Sequence, residues 1–377
     1  MQIKSLLDLG WSHFFQSQLD LDLLNTQLPF RVISVQRNLI ECLGFDQNGQ
    51  LTQLALSTYF WRNEAPEAHP TVGDWLMLAL DSESLHSESL HSESLHSESQ
   101  HGFEPQQLLE RKTRIQRKAA GREAYIQMIA ANIDTLFITT SCNEDFNLNR
   151  IERYLAIAAE SSIHCVLVLT KKDLCDEPQA YVDQVTASHP LLPVELVDAT
   201  CHESVLALKQ WIGQGQTVAL VGSSGVGKST VTNGLKDSFD QATAPIREGD
   251  KKGRHTTTSR SLHCLPSGGL LLDTPGMREL QVVDSEAGIQ QAFDDISSVA
   301  KRCRFANCQH QSEPGCAVMA EVDAGRLDQR RLDNYQKLLA EQLRNNESIA
   351  ERRQNDRALG RFYKQAQQSA KRFKSNE

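Results

Sequence analysis

Residues 222–229 read Gly222-Ser223-Ser224-Gly225-Val226-Gly227-Lys228-Ser229, a full match to the phosphate-cradling pattern G-x-x-x-x-G-K-[ST]. That pattern works only between a strand and a helix. Residues 217–221, an apolar run rich in β-branched side chains, supply the strand, and residues 229–235 open a helix. Downstream lies Asp273-Thr274-Pro275-Gly276, a D-x-x-G element that senses a terminal phosphate. Upstream lies Thr170-Lys171-Lys172-Asp173, which matches a base-reading loop. A single nucleotide site built from these parts ordinarily has the base reader last. Here it comes first, so the spacing predicts a circularly permuted domain.

Each part has a physical reason. The glycines let backbone N–H groups converge on phosphate oxygens at a helix N-terminus. Lys228 is expected to reach the β- and γ-phosphates, and the Ser229 hydroxyl to ligate Mg²⁺, with Thr230 extending the loop. Asp273, at a strand end, is expected to hold Mg²⁺ through water, and the Gly276 N–H to meet the γ-phosphate. The Asp173 carboxylate can accept from both N1–H and the exocyclic amine of guanine, which selects GTP over ATP. Lys171 packs its stem over the base. Asn is usual where Thr170 stands, a departure that leaves the Asp173 reader in place. A second base-side loop is expected at Val197-Asp198-Ala199-Thr200.

Between the phosphate loop and Asp273 runs Gly253-Arg254-His255-Thr256-Thr257-Thr258. A mobile threonine is needed there to close on Mg²⁺ and the γ-phosphate. Thr257 is the candidate, and a single sequence does not separate it from Thr256 and Thr258. Met277 stands where Ras-like enzymes place the water-orienting Gln. His255 is the nearest replacement, although a loop histidine equally suits contact with RNA or solvent. Slow unaided turnover, raised by a partner, is the expected consequence.

Cys303-x₄-Cys308-x-His310-x₅-Cys316 offers three sulfurs and an imidazole, a closed four-ligand set for a structural zinc ion. The other six of nine cysteines are scattered, which suits a reducing cytoplasm better than a disulfide framework. No run of 18 apolar residues marks a membrane span, and residues 1–9 lack the pattern of a secretory signal. The formal net charge of −9 argues against a nucleic-acid partner only on average. Residues 357–374 carry six basic side chains and no acidic one, and residues 110–122 carry six against Glu110. Local patches of this kind bind phosphate, and they equally occur as plain solvated faces.

Short strands are expected at 30–34, 39–45, 51–57 and 74–80, with turns at 46–49 and 73–74. A small β-barrel with a basic segment near 111–118 fits an oligonucleotide-binding fold. A Ser-Glu-Ser-Leu-His repeat fills 82–101, bringing His86, His91, His96 and His101 to fixed spacing. Such a polar repeat cannot bury a core. Regular histidines suit metal ions, but the simpler account is an expanded repeat without function. From 131 onward apolar runs alternate with helical stretches, which predicts an α/β domain with a mostly parallel sheet. The expected division is a helical lead-in (1–28), an oligonucleotide-binding-type barrel with a repeat insert (29–120, insert 81–102), a permuted GTPase domain (121–295) and a helical zinc-binding domain with a basic tail (296–377).

The whole series resembles the circularly permuted GTPases of bacterial small-ribosomal-subunit biogenesis, the RsgA family. It comprises a barrel, then T-K-K-D, the phosphate loop, G-R-H-T-T-T, D-T-P-G and C-x₄-C-x-H-x₅-C, and it covers nearly the whole chain. The resemblance implies GTP hydrolysis with Mg²⁺ and one structural zinc. It also implies binding to the 30S subunit and its 16S rRNA in late maturation, with hydrolysis stimulated by the subunit. GTP contacts then fall on 170–173 and 222–230, and zinc ligands on Cys303, Cys308, His310 and Cys316. A cytoplasmic monomer without membrane contact is expected. Thr170 and the histidine repeat depart from the family pattern. Two other readings share these motifs. A GTP-gated RNA-binding adaptor, with hydrolysis incidental, is motivated by Met277. An ATP-dependent phosphotransferase is opposed by Asp173.

Overall fold

Residues 27–80 form four antiparallel strands, close to the predicted spans: β1 (Gln27–Val35), β2 (Leu39–Phe45), β3 (Leu51–Ser57) and β4 (Trp75–Leu80), with burial alternating along β2 and the end of β3 and running through consecutive residues in β1 and β4. The computed structural model describes residues 3–20, 26–80, 103–118, 126–237, 260–273 and 285–346. A fifth strand, β5 (Phe103–Leu108), pairs with β4, giving the order β3-β2-β1-β4-β5. Phe30, Val32, Ile40, Leu54, Leu56, Leu76 and Leu78 face one another as its core. In the β2–β3 turn, Asp46 Oδ1 accepts from the N–H groups of Asn48 (2.9 Å) and Gln50 (2.8 Å). Gly49 sits there at φ 71°, a conformation that favours glycine. The lead-in segment covers the sheet with Trp11 and Phe15, packed on Trp75.

The basic stretch after β5 is partly spent inside the fold. Arg111 grips the buried Asp74 through Nε and Nη2 (2.8 Å each) and also donates to the carbonyls of Glu67 and His69. Lys112 pairs with Asp134 at 3.0 Å. β6 (Arg114–Lys118) and β7 (Ile126–Ala131) form a separate two-stranded ribbon.

The α/β part runs β8 (Thr135–Ser141), α1 (Leu148–Glu160), β9 (His164–Thr170), α2 (Pro178–Ser188), β10 (Val194–Leu196), α3 (His202–Leu206), β11 (Thr217–Val221), α4 (Lys228–Leu235), β12 (Arg260–Cys264) and β13 (Leu270–Asp273). Every residue of β8 and β11 is buried, as continuous apolar runs require when both faces of a parallel sheet are covered. The parallel order is β10-β9-β8-β11-β13. The chain thus moves outward from β8 to β10, then returns to the opposite side of β8, which places a topological switch between β8 and β11.

β12 is antiparallel to β13 and also pairs with β1, with Ser261 opposite Ser34. The two sheets are therefore continuous. Arg31 reinforces this join. It is 1% exposed, donates to Thr217 Oγ1 (2.8 Å) and to the carbonyls of Asn132 and Gly73 (3.3 Å each), and also bonds the Leu9 carbonyl. Burial lowers its pKa to about 10, so it stays charged at neutral pH.

Two compact units result: residues 1–116 with 128–280, and residues 117–127 with 281–377. The second holds α5 (Glu286–Ala292), α6 (Asp294–Ala300), α7 (Ala317–Asp323) and α8 (Gln329–Asn346). In and just before α8, Leu332, Tyr335 and Leu338 are buried, while Leu327 and Leu339 are half-buried. Tyr335 meets Phe293 with ring centroids 5.5 Å apart. Arg331 holds Asp295 through two 2.8 Å bonds and lies over the Phe293 ring. Among the described residues no helix is long and apolar enough to cross a membrane.

Candidate active site and metal centre

The C-terminal ends of four parallel strands carry the elements predicted to bind a nucleotide: 197–200, 170–173, 222–229 and Asp273, with the 142–147 loop after β8 lying between the second and third of these. In open α/β sheets ligands bind at this edge, at the switch point. The phosphate loop leaves β11 at the switch itself.

Three glycines of the loop hold positive φ: Gly222 (142°), Gly225 (81°) and Gly227 (92°). A Cβ on Gly222 would lie 2.0 Å from the Thr139 carbonyl oxygen, so only glycine fits against β8. Val226 is buried, and Ser224, Gly225 and Ser229 are exposed. Lys228 Nζ donates to the Gly222 carbonyl at 2.8 Å and to that of Ser223, so the ammonium lies folded across its own loop. Phosphate oxygens are the natural replacement for those carbonyls. Thr230 is half-buried in the first turn of α4. Behind the loop, Val231 and Leu235 pack on Val218, Leu220 and Val205, so the helix N-terminus is fixed by a dry core.

Thr170 is fully buried at the end of β9. Its hydroxyl lies 2.6 Å from the Val226 carbonyl and 3.2 Å from that of Thr140. The first residue of the base-reading loop is thus bonded directly to the phosphate loop. Lys171 takes φ 58°, unusual for a side chain with a Cβ, and turns the chain so that Asp173 is exposed. Lys172 donates to the Leu196 carbonyl at 3.2 Å. In the neighbouring loop Asp198 Oδ1 accepts from Thr200 N (2.8 Å) and Oγ1 (2.7 Å), which holds its carboxyl below the usual carboxylate range. Asp198 therefore closes its own turn.

Asp273 ends β13 opposite Ser261. The exposed Ser229 hydroxyl and a carboxylate at a parallel strand end are hard oxygen donors, the chemistry Mg²⁺ takes. His255, Thr257 with its neighbours Thr256 and Thr258, Gly276 and Met277 lie outside the described residues, as do the 82–101 repeat and the basic tail.

The structure also brings in residues that the motif reading missed. Arg150, in the first turn of α1, bonds both Asp145 oxygens (3.0 Å each) and the Ser223 hydroxyl. It buttresses the phosphate loop from a helix 73 residues away. No local pattern marks it.

The metal ligands converge in the second unit. Single ligand atoms of Cys303, Cys308, His310 and Cys316 all lie within 4.8 Å of one another. Cys303 Sγ is 3.9 Å from Cys316 Sγ, and His310 Nδ1 is 3.6 and 3.5 Å from those two sulfurs. Bond lengths of about 2.3 Å (Zn–S) and 2.0 Å (Zn–N) put tetrahedral ligands about 3.8 Å (S···S) and 3.5 Å (S···N) apart. The residues therefore fit a zinc ion. Burial lowers the pKa of the His310 imidazole, which favours the neutral, ligating form. The loop is shaped by Glu313, another residue not singled out from sequence. Its carboxylate accepts from the N–H groups of Gln309 (2.8 Å), Gln311 (2.9 Å) and Ser312 (3.1 Å), and these bonds lower its pKa to about 2. Gly315, at φ 80°, turns the chain into the last ligand.

Fold and site together define a nucleotide-binding α/β protein with an added Cys₃His cluster that fits a metal ion. Residues 108–283 match the family model described as RsgA GTPase. The chain is 45% identical over 357 residues to the small ribosomal subunit biogenesis GTPase RsgA 2 of Vibrio parahaemolyticus, covering 95% of this chain and 91% of that one. It is 43% identical over 344 residues to RsgA of Mesorhizobium japonicum, covering 90% and 91%. The crystal structure of YjeQ from Thermotoga maritima shares the fold with TM-score 0.56 at 22% identity, over 84% of this chain and 99% of that one. That of YloQ, described as a circularly permuted GTPase, does so with TM-score 0.57 at 20% identity, over 85% and 96%. The chain belongs to the RsgA GTPase family and is a GTP-hydrolysing enzyme.

Proposed function

We propose that the chain is a ribosome-assembly GTPase. In this reading it binds the 30S subunit through 16S rRNA, acts late in its maturation, and hydrolyses GTP faster when bound to the subunit. The relatives named above are small ribosomal subunit biogenesis GTPases, which supports the choice of partner. One observation carries the nucleotide chemistry: residues 170–173, 222–229 and Asp273 gather along one strand edge at the switch point, although the base reader precedes the phosphate loop in the chain.

In this reading Asp173 pairs with guanine and Lys171 covers the base plane. Thr170 locks the base loop to the phosphate loop. Backbone N–H groups of 223–230 cradle the phosphates, and Lys228 exchanges its carbonyl partners for β- and γ-phosphate oxygens. Water attacks the γ-phosphorus, the bond to the bridging oxygen breaks, and charge grows on groups facing Lys228. Ser229 and Asp273 would hold Mg²⁺, which supplies neutralising charge at the phosphates. His255 positions the water in place of Gln, and Thr257 and Gly276 sense the γ-phosphate. Zinc on Cys303, Cys308, His310 and Cys316 staples its loop, whose rim (Lys301, Arg302 and Arg304, the last over Phe305) suits RNA. The protein works as a monomer in the cytoplasm, without a membrane.

Turnover of GTP with and without purified small subunits tests this. A rise of at least tenfold is expected. No rise with intact subunits, from protein that binds GTP, would sink the partner assignment. Equal affinity for ATP and GTP would sink the role of Asp173.

A further inference from the structure

Among the described residues, the five-stranded sheet shows one exposed aromatic pair. Tyr59 and Phe60 are adjacent and 48% and 45% exposed, in a single 3-10 turn (Thr58–Trp61) between β3 and β4. That turn is held rigidly. Trp61 is buried in the sheet core, the Tyr59 N–H donates to Ser57 Oγ at 3.2 Å, and the Thr58 N–H donates to the Asn38 carbonyl at 3.1 Å. The last bond sets the turn beside the exposed β1–β2 turn, Gln36, Arg37 and Asn38. Arg62 lies over the Tyr59 ring, its guanidinium carbon 3.6 Å from the centroid. Neither Arg62 nor Arg37 has a carboxylate partner among the described residues. By contrast Arg111, the first cation of the basic stretch expected to bind phosphate, is committed to Asp74.

Phe60 meets the buried Trp61 edge-on, ring centroids 6.0 Å apart, yet both it and Tyr59 keep nearly half their surface in water, a poor surrounding for aromatic rings. Stacking of unpaired bases on such rings is tolerant of sequence, because every base has a π-face, and a stacked guanidinium adds attraction for the backbone. We infer that Tyr59, Phe60 and Arg62, with Arg37 beside them, form a stacking platform for unpaired bases of an RNA single strand. The inference rests on the proposed rRNA partner and names the surface and the form of RNA it takes. A duplex, whose bases are already stacked, does not fit this platform.

The test uses the full chain and two probes at one fixed salt concentration: a fluorescein-labelled oligouridylate of twelve nucleotides, read by anisotropy, and small ribosomal subunits, read by co-sedimentation. Tyr59→Ala and Phe60→Ala are each expected to weaken oligouridylate binding by about 5- to 150-fold. Tyr59→Phe should stay within about twofold, since the ring remains. Arg62→Ala should weaken binding and flatten its salt dependence. An unchanged zinc content and a melting midpoint within roughly 2 °C exclude misfolding. Wild-type protein that binds neither probe overturns the rRNA reading itself. Wild-type protein that binds both, with the alanine variants binding equally well, overturns only the platform. Loss confined to subunit binding, with oligouridylate binding intact, identifies a protein partner at this surface and overturns the platform too.

Discussion

The phosphate cradle and the cysteine knuckle each present a site for a charged guest, and they are built from opposite materials. The cradle is main chain: glycines at positive φ and a helix start, set on β8 and β11, whose residues are all buried. The knuckle is side chain: three sulfurs and one imidazole closing on a point, in a unit where, among the described residues, three of four helices have only seven residues and the buried apolar side chains around them are Ile289, Phe293, Ile296, Val318, Leu332, Tyr335 and Leu338. The first shape exists whether or not a nucleotide is there. In the proposed reading the second takes its shape from the ion that draws its four ligands together. Preorganisation by a sheet and preorganisation by a metal should therefore fail separately.

Removing zinc is the largest break. Structural zinc sites contribute on the order of 10 kcal/mol to folding near neutral pH. Chelation, or Cys316→Ser, is expected to abolish hydrogen-exchange protection across 329–346. All four tryptophans, Trp11, Trp61, Trp75 and Trp211, lie in the first unit. Their fluorescence transition, and GTP affinity, should change little. Protection in 329–346 that survives full zinc loss would show that apolar packing alone holds the second unit.

The converse break is Lys228→Ala. Loss of one electrostatic stabiliser of a transition state costs about 100- to 1,000-fold in rate. GTP hydrolysis should fall by that order with zinc content and second-unit protection unchanged. A variant that also sheds zinc would contradict the independence of the two devices.

The same contrast explains what was legible in the sequence. Gly222 and Gly227 are written into the motif because the main chain there excludes a Cβ or takes positive φ, and the four cysteine–histidine ligands are written because zinc admits few residue types. β11 and β8 read as apolar runs because both faces are covered. β5 (FEPQQL) and β12 (RSLHC) did not, since each has few apolar residues to betray it. Nor could local pattern show that Arg31 is buried against Thr217, 186 residues away, or that Arg111 spends its charge on Asp74. Those residues look like surface cations until the tertiary partner is known. Thr170 read as a shortened substitute for Asn, whereas in the fold its hydroxyl reaches the Val226 carbonyl of the cradle.

That contact gives a sharper, mid-sized probe of the cradle. Thr170→Val keeps the shape of the side chain and leaves a buried carbonyl without its donor, at a cost of about 1–3 kcal/mol. GTP affinity should weaken by about 5- to 150-fold, with GDP affected alike, because the bond serves the loop rather than the γ-phosphate. Thr170→Ser should restore most of it. If valine binds nucleotide as well as threonine, the cradle does not depend on its link to the base loop.

The smallest effect lies behind the cradle. Asp8 accepts from Gln214 Nε2 (2.6 Å), Lys4 N (2.8 Å) and Ser5 N (3.0 Å), tying the lead-in to the loop before β11. The side-chain bond from Gln214, followed by that from the Lys4 N–H, holds its pKa below the ordinary value of 3.8. A carboxylate so depressed contributes stability that is fully present above 3.8 and fades as pH falls through its lowered value. Asp8→Asn should therefore lower the urea midpoint of the tryptophan transition slightly at pH 6, and the gap from wild type should narrow on acidification below 3.8. Tryptophan fluorescence is the right readout, because all four tryptophans lie in the first unit, with Asp8 and Gln214. A gap that widens toward low pH would mean that the neutral acid, not the carboxylate, is the form the lead-in holds.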